Sequence, residues 1–302
     1  MAETMTVFNR RAVRQHRDRA AAGLKAHDFL LCETAARLLD RLDDIKRGFP
    51  LAVDLGCHGG ELARTVNGRG GIETLISCDL SPRMAALAVS KGGPVLSTDE
   101  EALPFAPASL DLVLSNLSLH WVNDLPGALV QIRQALKPDG LFLACMLGGA
   151  TLQELRSALY QAETEIEGGL SPRFSPLADV RDLGNLLQRA GFALPVSDFE
   201  TITVSYTHPL KLLQDLRGMG ESNANSERRL SFSRRATLMR AMEIYSENYA
   251  DADGRVPATF EVITLTAWAP APDQPQPLAR GSAETSLQDA LGSVEKAKPQ
   301  EA

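Results

Sequence analysis

Between residues 51 and 146 the chain alternates five short apolar runs with helical stretches, and this rhythm limits its fold more tightly than any other feature. The runs at 51–55, 74–78, 94–97, 110–114 and 140–146 have strand length and are rich in leucine, valine and isoleucine. One helical stretch starts at Glu61 and a second at Ser81-Pro82, where a capping serine precedes a proline in the first turn. A third covers 124–136 and is expected to stop at Lys137-Pro138-Asp139-Gly140, since proline cannot continue a helix and glycine accepts a strained φ. Such alternation predicts an α/β fold, a mostly parallel sheet with helices on both faces.

The flanks keep a different rhythm. Residues 8–46 carry helical periodicity, with Phe29, Leu30, Ala36, Leu38, Leu39 and Leu42 as an apolar stripe, so residues 1–48 are expected to form an N-terminal helical extension. After Gly148-Gly149, residues 151–167 and 176–190 are expected as helices. Residues 197–206 and 256–268 are rich in β-branched types and are expected to close the sheet as a hairpin-like pair. A helical roof over about 207–250 lies between them, where insertions commonly cover an active site. The main domain is thus expected over 49–269, followed by a Pro-rich mobile tail over 270–302.

Charge and cysteine usage exclude several classes. With 31 basic and 38 acidic residues the formal net charge is −7, so nothing draws the whole chain to nucleic acid or an anionic membrane. No apolar run reaches the length of about 18 residues that a transmembrane helix needs. Cys32, Cys57, Cys78 and Cys145 form no CxxC pair and are expected as buried thiols of a reducing compartment. Arg10, Arg11, Arg14, Arg17 and Arg19 form a local basic excess. Asp18 and Asp28 spoil it as a targeting presequence, so a solvated or partner-facing helix and a cytoplasmic location are expected. A processed matrix protein would read the same way. His16, His27, His58, His120 and His208 do not form a two-histidine, one-carboxylate metal site.

Candidate binding residues fall at the carboxyl ends of successive strands, the rim where open α/β sheets take their ligands. Gly56-Cys57-His58-Gly59-Gly60 follows the first strand and lets backbone approach a ligand closely. Asp54, Asp79, Asp99 and Asn116 occupy the same rim. The Asp79 carboxylate could accept from both hydroxyls of a ribose, and Asp99 from an adenine amino group. Removing the Asp79 carboxylate is expected to cost cofactor affinity and leave folding intact, as on a solvent-facing rim.

The segments "VDLGCHGG", "CDLSPRM", "DEEALPF", "LDLVLSNLSLHWV" and "LKPDGLFL", in this order, resemble the class I S-adenosylmethionine-dependent methyltransferases. The resemblance implies a Rossmann-like, seven-stranded fold with S-adenosyl-L-methionine as cofactor. It places Gly56 with Asp54, Cys57, His58 and Gly60 at the methionine moiety, Asp79 and Leu80 at the ribose, Asp99 and Glu100 at the adenine, and Asn116 on the rim beside them. His58 departs from the family's usual glycine. A nicotinamide dinucleotide reading lacks the third glycine of its own spacing.

A narrower resemblance runs through "VFNRRAVRQHRDRA", "LSLHWVNDLPGAL", "GGATLQELRSALYQAETEIEGGLSPRFSP", "VRDLGNLLQRAGF", "DLRGMGESNA", "DGRVPATFEVI" and "LARGSAETSL". These segments are similar to the complex I assembly factor 5 family, whose mitochondrial members are arginine hydroxylases. The implied partner is an iron–sulfur subunit of the quinone module of respiratory complex I. Two alternatives stay open: an ordinary methyltransferase, for example on a malonyl-carrier protein, and an assembly chaperone that keeps the cofactor for stability. On the substrate side, His120 is a candidate base and Trp121 a candidate cation–π platform, against readings in which they cap a helix and pack under the roof. Glu221 and Asn223 in Gly218-Met-Gly-Glu-Ser-Asn223 could grip a guanidinium, or simply belong to a glycine turn. Glu163, Glu165 and Glu167 read as a solvated face, and Cys57 as a small packing residue.

Overall fold

The apolar runs become β1 (Leu51–Leu55), β2 (Thr74–Asp79), β3 (Val95–Ser97), β4 (Leu110–Asn116) and β5 (Leu136–Leu147) in a computed structural model that describes residues 6–275 with 281, 282 and 286. Parallel pairing joins β1 to β2 and β4, β2 to β3, and β4 to β5. The closing strands are β6 (Ala193–Tyr206) and β7 (Val256–Trp268), with β7 antiparallel to β5 and β6 antiparallel to β7. Strand order is β3-β2-β1-β4-β5-β7-β6, seven strands in all. Every residue of β4 is buried, as both faces of a central parallel strand must be. At the edge, β6 alternates exposed and half-buried positions, one face packed and one wet.

Helices α1 (Arg10–Ala20) and α2 (Phe29–Asp43) precede the sheet. Between strands come α3 (Glu61–Thr65), α4 (Pro82–Val89), α5 (Leu125–Ala135), α6 (Gln153–Glu167) and α7 (Val180–Arg189). The 207–250 segment holds α8 (Pro209–Met219) and α9 (Arg235–Tyr249). Local chemistry fixes several starts: Asn9, Ser81, Asp124 and Asp179 each accept a first-turn N–H, worth about 1 kcal/mol per cap. Alternate residues of β4 and β5 face opposite layers. Leu112, Leu114, Leu141 and Leu143 pack with α2, α6, α8 and α9, while Val113, Phe142 and Ala144 pack with α5 and α7.

Two local expectations are corrected. The Lys137–Gly140 tetrapeptide is the irregular first part of β5, not a free turn. Asp139 takes φ 61° there, its N–H donates to Ala269 O at 3.1 Å, and the register against β4 shifts. On α2 the buried face is Leu30, Leu31, Thr34, Ala35, Leu38, Leu39 and Leu42. Phe29 and Ala36 share the adjacent face with Glu33 and Asp40, and Phe29 is 36% exposed.

The described residues from Thr6 to Pro270 form one compact unit, and those from Ala271 onward belong to a second. Within that second unit a turn closes from Gln274 N to Ala271 O at 3.3 Å. The tail's Ala279 and Arg280 lie outside the described residues. No described helix is long and apolar enough to cross a membrane.

Candidate functional site

The turn after β1 is built for close approach. Gly56 sits at φ +80°, and a Cβ there would stand 2.0 Å from Ser118 Oγ. His58 also takes a left-handed φ of 47°, which explains why glycine is the usual choice at that position. Its ring is buried and its Nε2–H donates to the carbonyls of Asn116 (3.1 Å) and Leu117 (3.2 Å). Burial and the Arg17 charge hold His58 below the ordinary histidine value. Gly60, at φ +81°, opens α3. The Cys57 thiol is buried and pushed well up by burial and by the carboxylates of Asp79 and Asp54.

The carboxylates at the ends of β2 and β3 converge, but they do not face water. Asp79 is 1% exposed and accepts from the backbone N–H of His58 (3.1 Å) and of Ser81 (2.7 Å). The expectation of a solvent-facing Asp79 is therefore corrected: its carboxylate also ties the β1 turn to the start of α4. Glu100 is fully buried and accepts from Ser118 Oγ at 2.8 Å. Asp99 is partly exposed, and Leu80 is half-buried against Phe8 and Trp121.

Two arginines from the N-terminal helix fill this acidic rim, against the expectation of a solvated or partner-facing basic run. Arg17 is 1% exposed. Its Nη1 lies 3.1 Å from Glu100 and 3.4 Å from Asp79, and its Nη2 donates to Ser118 Oγ at 2.8 Å. Arg10 pairs with Asp99 at 2.6 Å, with Glu100, and with the Trp121 carbonyl at 3.2 Å. Burial alone would lower the Arg17 pKa; the facing charges of Asp79, Glu100 and Glu221 reverse the sign and raise it. Burial likewise works to raise Glu100, yet Arg17 and Arg10 overcome it and hold the carboxyl at about 2. Sequence reasoning missed Arg10, Arg17 and Ser118 as parts of the rim. The signal was present: Arg10, Val13, Arg17 and Ala20 are spaced three and four apart, on one buried helical face.

Asp54 is fully buried, and neither carboxyl oxygen has a hydrogen-bond partner among the described residues. Burial, with Glu61 and Asp79 nearby, pushes this carboxyl well above the usual range. Asn116 is turned inward: its Nδ2 donates to Leu31 O at 2.9 Å and its Oδ1 meets Cys145 Sγ at 3.1 Å. Its amide thus ties β4 to α2.

His120, Trp121 and Glu221 come together although a hundred residues separate them in sequence. His120 Nε2 lies 3.1 Å from Glu221 Oε2, and Trp121 Nε1 donates to both Glu221 oxygens at 3.2 and 3.1 Å. Burial would raise Glu221, but His120, His58 and Arg17 hold it below the usual carboxylate range. The Nδ1 of His120 is buried and has no partner among the described residues. Glu221 also lines a cavity of about 620 Å³, with Leu155, Leu159, Phe174 and Leu216 in its apolar wall and Asn223 beside it. Asn223 braces the loop, donating to Pro172 O at 2.7 Å and accepting from Asn225 N at 2.9 Å. Glu163, expected on a solvated face, is buried and holds Ser171 (2.5 Å) and Arg173 (2.7 Å) of the cavity wall. No group of three His, Cys, Asp or Glu placed to hold a metal ion occurs among the described residues.

A family model described as a methyltransferase domain matches residues 53–144. Over 289 residues the chain is 44% identical to arginine-hydroxylase NDUFAF5, mitochondrial, of Danio rerio, covering 94% of this chain and 89% of that protein. Malonyl-[acyl-carrier protein] O-methyltransferase of Gallionella capsiferriformans is 36% identical, over 88% of this chain and 93% of its own. Among solved structures, Haemonchus contortus phosphoethanolamine N-methyltransferase 2 in complex with S-adenosyl-L-methionine shares the fold. The two align with a TM-score of 0.51 at 20% identity, covering 86% of this chain and 60% of that one. A rim of strand-end carboxylates on a 3-2-1-4-5-7-6 sheet, and this whole-length likeness, place the chain in the arginine-hydroxylase NDUFAF5 family of the methyltransferase superfamily.

Proposed function

We propose that this chain is an S-adenosyl-L-methionine-dependent enzyme that hydroxylates a protein arginine during assembly of respiratory complex I. The substrate is an iron–sulfur subunit of the quinone module, met in the cytoplasm of a bacterium or in the mitochondrial matrix. The observation that carries the reading is 44% identity to an arginine hydroxylase across 94% of the chain. The cavity agrees with it chemically. Apolar walls suit the methylene stem of an arginine, and the Glu221 carboxylate suits its guanidinium, since each oxygen can accept more than one hydrogen bond.

The cofactor reading rests on the methyltransferase match and on buried polar groups left over by the fold. The carboxyl of Asp54 and the Nδ1 of His58 have no partner among the described residues, and Gly56 bares its backbone beside Ser118. When bound, S-adenosyl-L-methionine would supply an electrophilic methyl group, the chemistry of the methyl-transfer outcome below. Hydroxylation turns a C–H bond into C–OH and therefore also draws on an external two-electron oxidant, such as molecular oxygen with a reductant. Asp79 would accept from its ribose and Asp99 from its adenine. Arg17 and Arg10 then give up part of their present pairing. On the substrate side, the Glu221 carboxylate favours the tautomer of His120 with its proton on Nε2, which leaves Nδ1 as the proton acceptor.

The test is the intact mass of the partner iron–sulfur subunit, isolated from cells with and without this protein. A gain of one oxygen on an arginine establishes the reading. A gain of one methylene replaces hydroxylation by methyl transfer. An unchanged mass moves the protein to a chaperone role or to a different substrate. The 36% identity to a malonyl-carrier-protein methyltransferase favours a second reading, in which the carrier protein gains the methylene instead.

A further inference from the structure

Three guanidiniums at the mouth of the cavity have no carboxylate partner among the described residues, in a chain with more acidic than basic side chains. Two other arginines of the same cavity wall, Arg173 and Arg229, stand in ion pairs with Glu163 and Glu167. Arg19, Arg217 and Arg228 do not. The Arg19 guanidinium donates only to Ser222 Oγ at 3.2 Å, and Arg228 only to the Asn225 carbonyl at 3.0 Å. All three line the wall that ends in Glu221, and Arg19 and Arg217 also line the adjoining hollow of about 380 Å³. Their charges are close enough to act on each other and on neighbouring groups. Burial and Arg217 lower Arg19, while burial, Arg19 and Arg228 lower His16, whose Nδ1 meets Ser222 O at 3.1 Å. Like charges held together cost stability, and Glu221, the carboxylate of that wall, is already held by His120 and Trp121, so the arrangement points to an anion supplied from outside. In the same lining Phe232 is 100% exposed, and Leu230, two residues before it in the chain, is 84% exposed, which suits a polypeptide better than a small anion.

We propose that this mouth is the docking site for an acidic segment of the substrate polypeptide, in which carboxylates flanking the target arginine sit on Arg19, Arg217 and Arg228. This rests on the arginine reading above. The acidic flank would anchor the segment on the basic lip, Phe232 and Leu230 would cover its apolar side chains, and the arginine would extend inward to Glu221. Site and lip carry opposite charge, so the pair reads a pattern and not a net charge: cation inside, anions outside.

Fluorescence anisotropy of labelled peptides with the full chain tests this. One peptide carries a central arginine with Asp and Glu flanks, a second the same arginine with Asn and Gln flanks, and a third a central norleucine with acidic flanks. The acid-flanked arginine peptide is expected to bind about tenfold more tightly than the neutral-flanked one, with the advantage shrinking in high salt. Arg217→Glu, at an exposed position, should abolish that preference and favour a Lys-flanked peptide. Equal binding of acidic and neutral flanks, or an unchanged preference in Arg217→Glu, overturns the docking site and leaves the arginine reading standing. Norleucine peptide bound as tightly as the arginine peptide supports the docking site and removes arginine recognition at Glu221. Failure of every peptide to bind overturns both.

Discussion

Arg17 Nη1 stands 3.1 Å from Glu100 Oε1, and both side chains are 1% exposed, so the N-terminal helix is fastened to the end of β3 by a buried ion pair. Removing one partner strands the other charge in a medium that solvates it poorly. Arg17→Ala is expected to cost about 3–5 kcal/mol in urea unfolding, while Arg17→Met with Glu100→Gln together should cost much less than the single losses combined. The pH sign follows from the carboxyl. Glu100 is held at about 2 against an ordinary 4.5, so its contribution is present above the ordinary value and is lost as pH falls toward 2. The deficit of Glu100→Gln should therefore shrink in acid; a constant deficit would argue against the pair.

Glu61 makes the opposite contribution. It is 2% exposed, accepts from Gly59 N at 3.0 Å, and is lifted by burial from 4.5 to about 7. A folded pKa above the unfolded one means that its stabilising share is full below 4.5 and is lost as pH rises through about 7. Glu61→Gln keeps an acceptor for the Gly59 N–H and removes the titration. Relative to wild type, the variant should gain stability steadily between about pH 5 and pH 8. Parallel stability curves in that window would show that the carboxyl is not shifted.

Asp79 braces the fold and, in the proposed reading, also meets the cofactor. Its carboxylate accepts two backbone N–H groups, from His58 and Ser81, so Asp79→Ala should lower stability by about 1–3 kcal/mol as well as weaken the cofactor. Asp79→Asn keeps one acceptor oxygen and much of the local geometry. Calorimetric titration of S-adenosyl-L-methionine should find the Asn variant at least about tenfold weaker, from loss of one charge-assisted contact. Affinity within a factor of about two of wild type would remove the ribose contact.

Much of this architecture was legible because it is written in local patterns. The five runs between Leu51 and Met146 carry strand-length apolar blocks, and Ser81-Pro82 and Asp124 carry their own cap signals, so the mostly parallel sheet and its intervening helices followed. Two kinds of feature were hidden. The first was direction: five arginines in ten residues look like a wet surface until the heptad spacing of Arg10 and Arg17 around Val13 is set against the carboxylates they meet. The second was long-range meeting of side chains. Nothing local says that Trp121 and Glu221 touch, because that contact depends on where the roof lies over the sheet, and Glu163 faces inward because the chain after α6 folds back and brings Ser171 and Arg173 onto it. Asn116 shows the converse, a rim position whose amide is spent on Leu31 and Cys145.

The last prediction concerns the pair that couples the roof to the sheet. If Glu221 acts by fixing the tautomer of His120 and receiving the substrate guanidinium, the two residues work as one unit. Losing either should then cost nearly as much as losing both. His120→Ala and Glu221→Ala are each expected to slow single-turnover modification by about two or more orders of magnitude, with little further loss in the double variant. Glu221→Gln adds a finer reading. Trp121 Nε1–H and His120 Nε2 both face this carboxylate, so the amide can accept from them with one oxygen but must turn its own NH₂ toward the other side of the pair. It should thus restore part of the stability lost in Glu221→Ala while leaving substrate binding impaired, because the negative charge is gone. Additive rate losses, or full activity in Glu221→Gln, would separate Glu221 from His120 and return the carboxylate to a purely structural role under the roof.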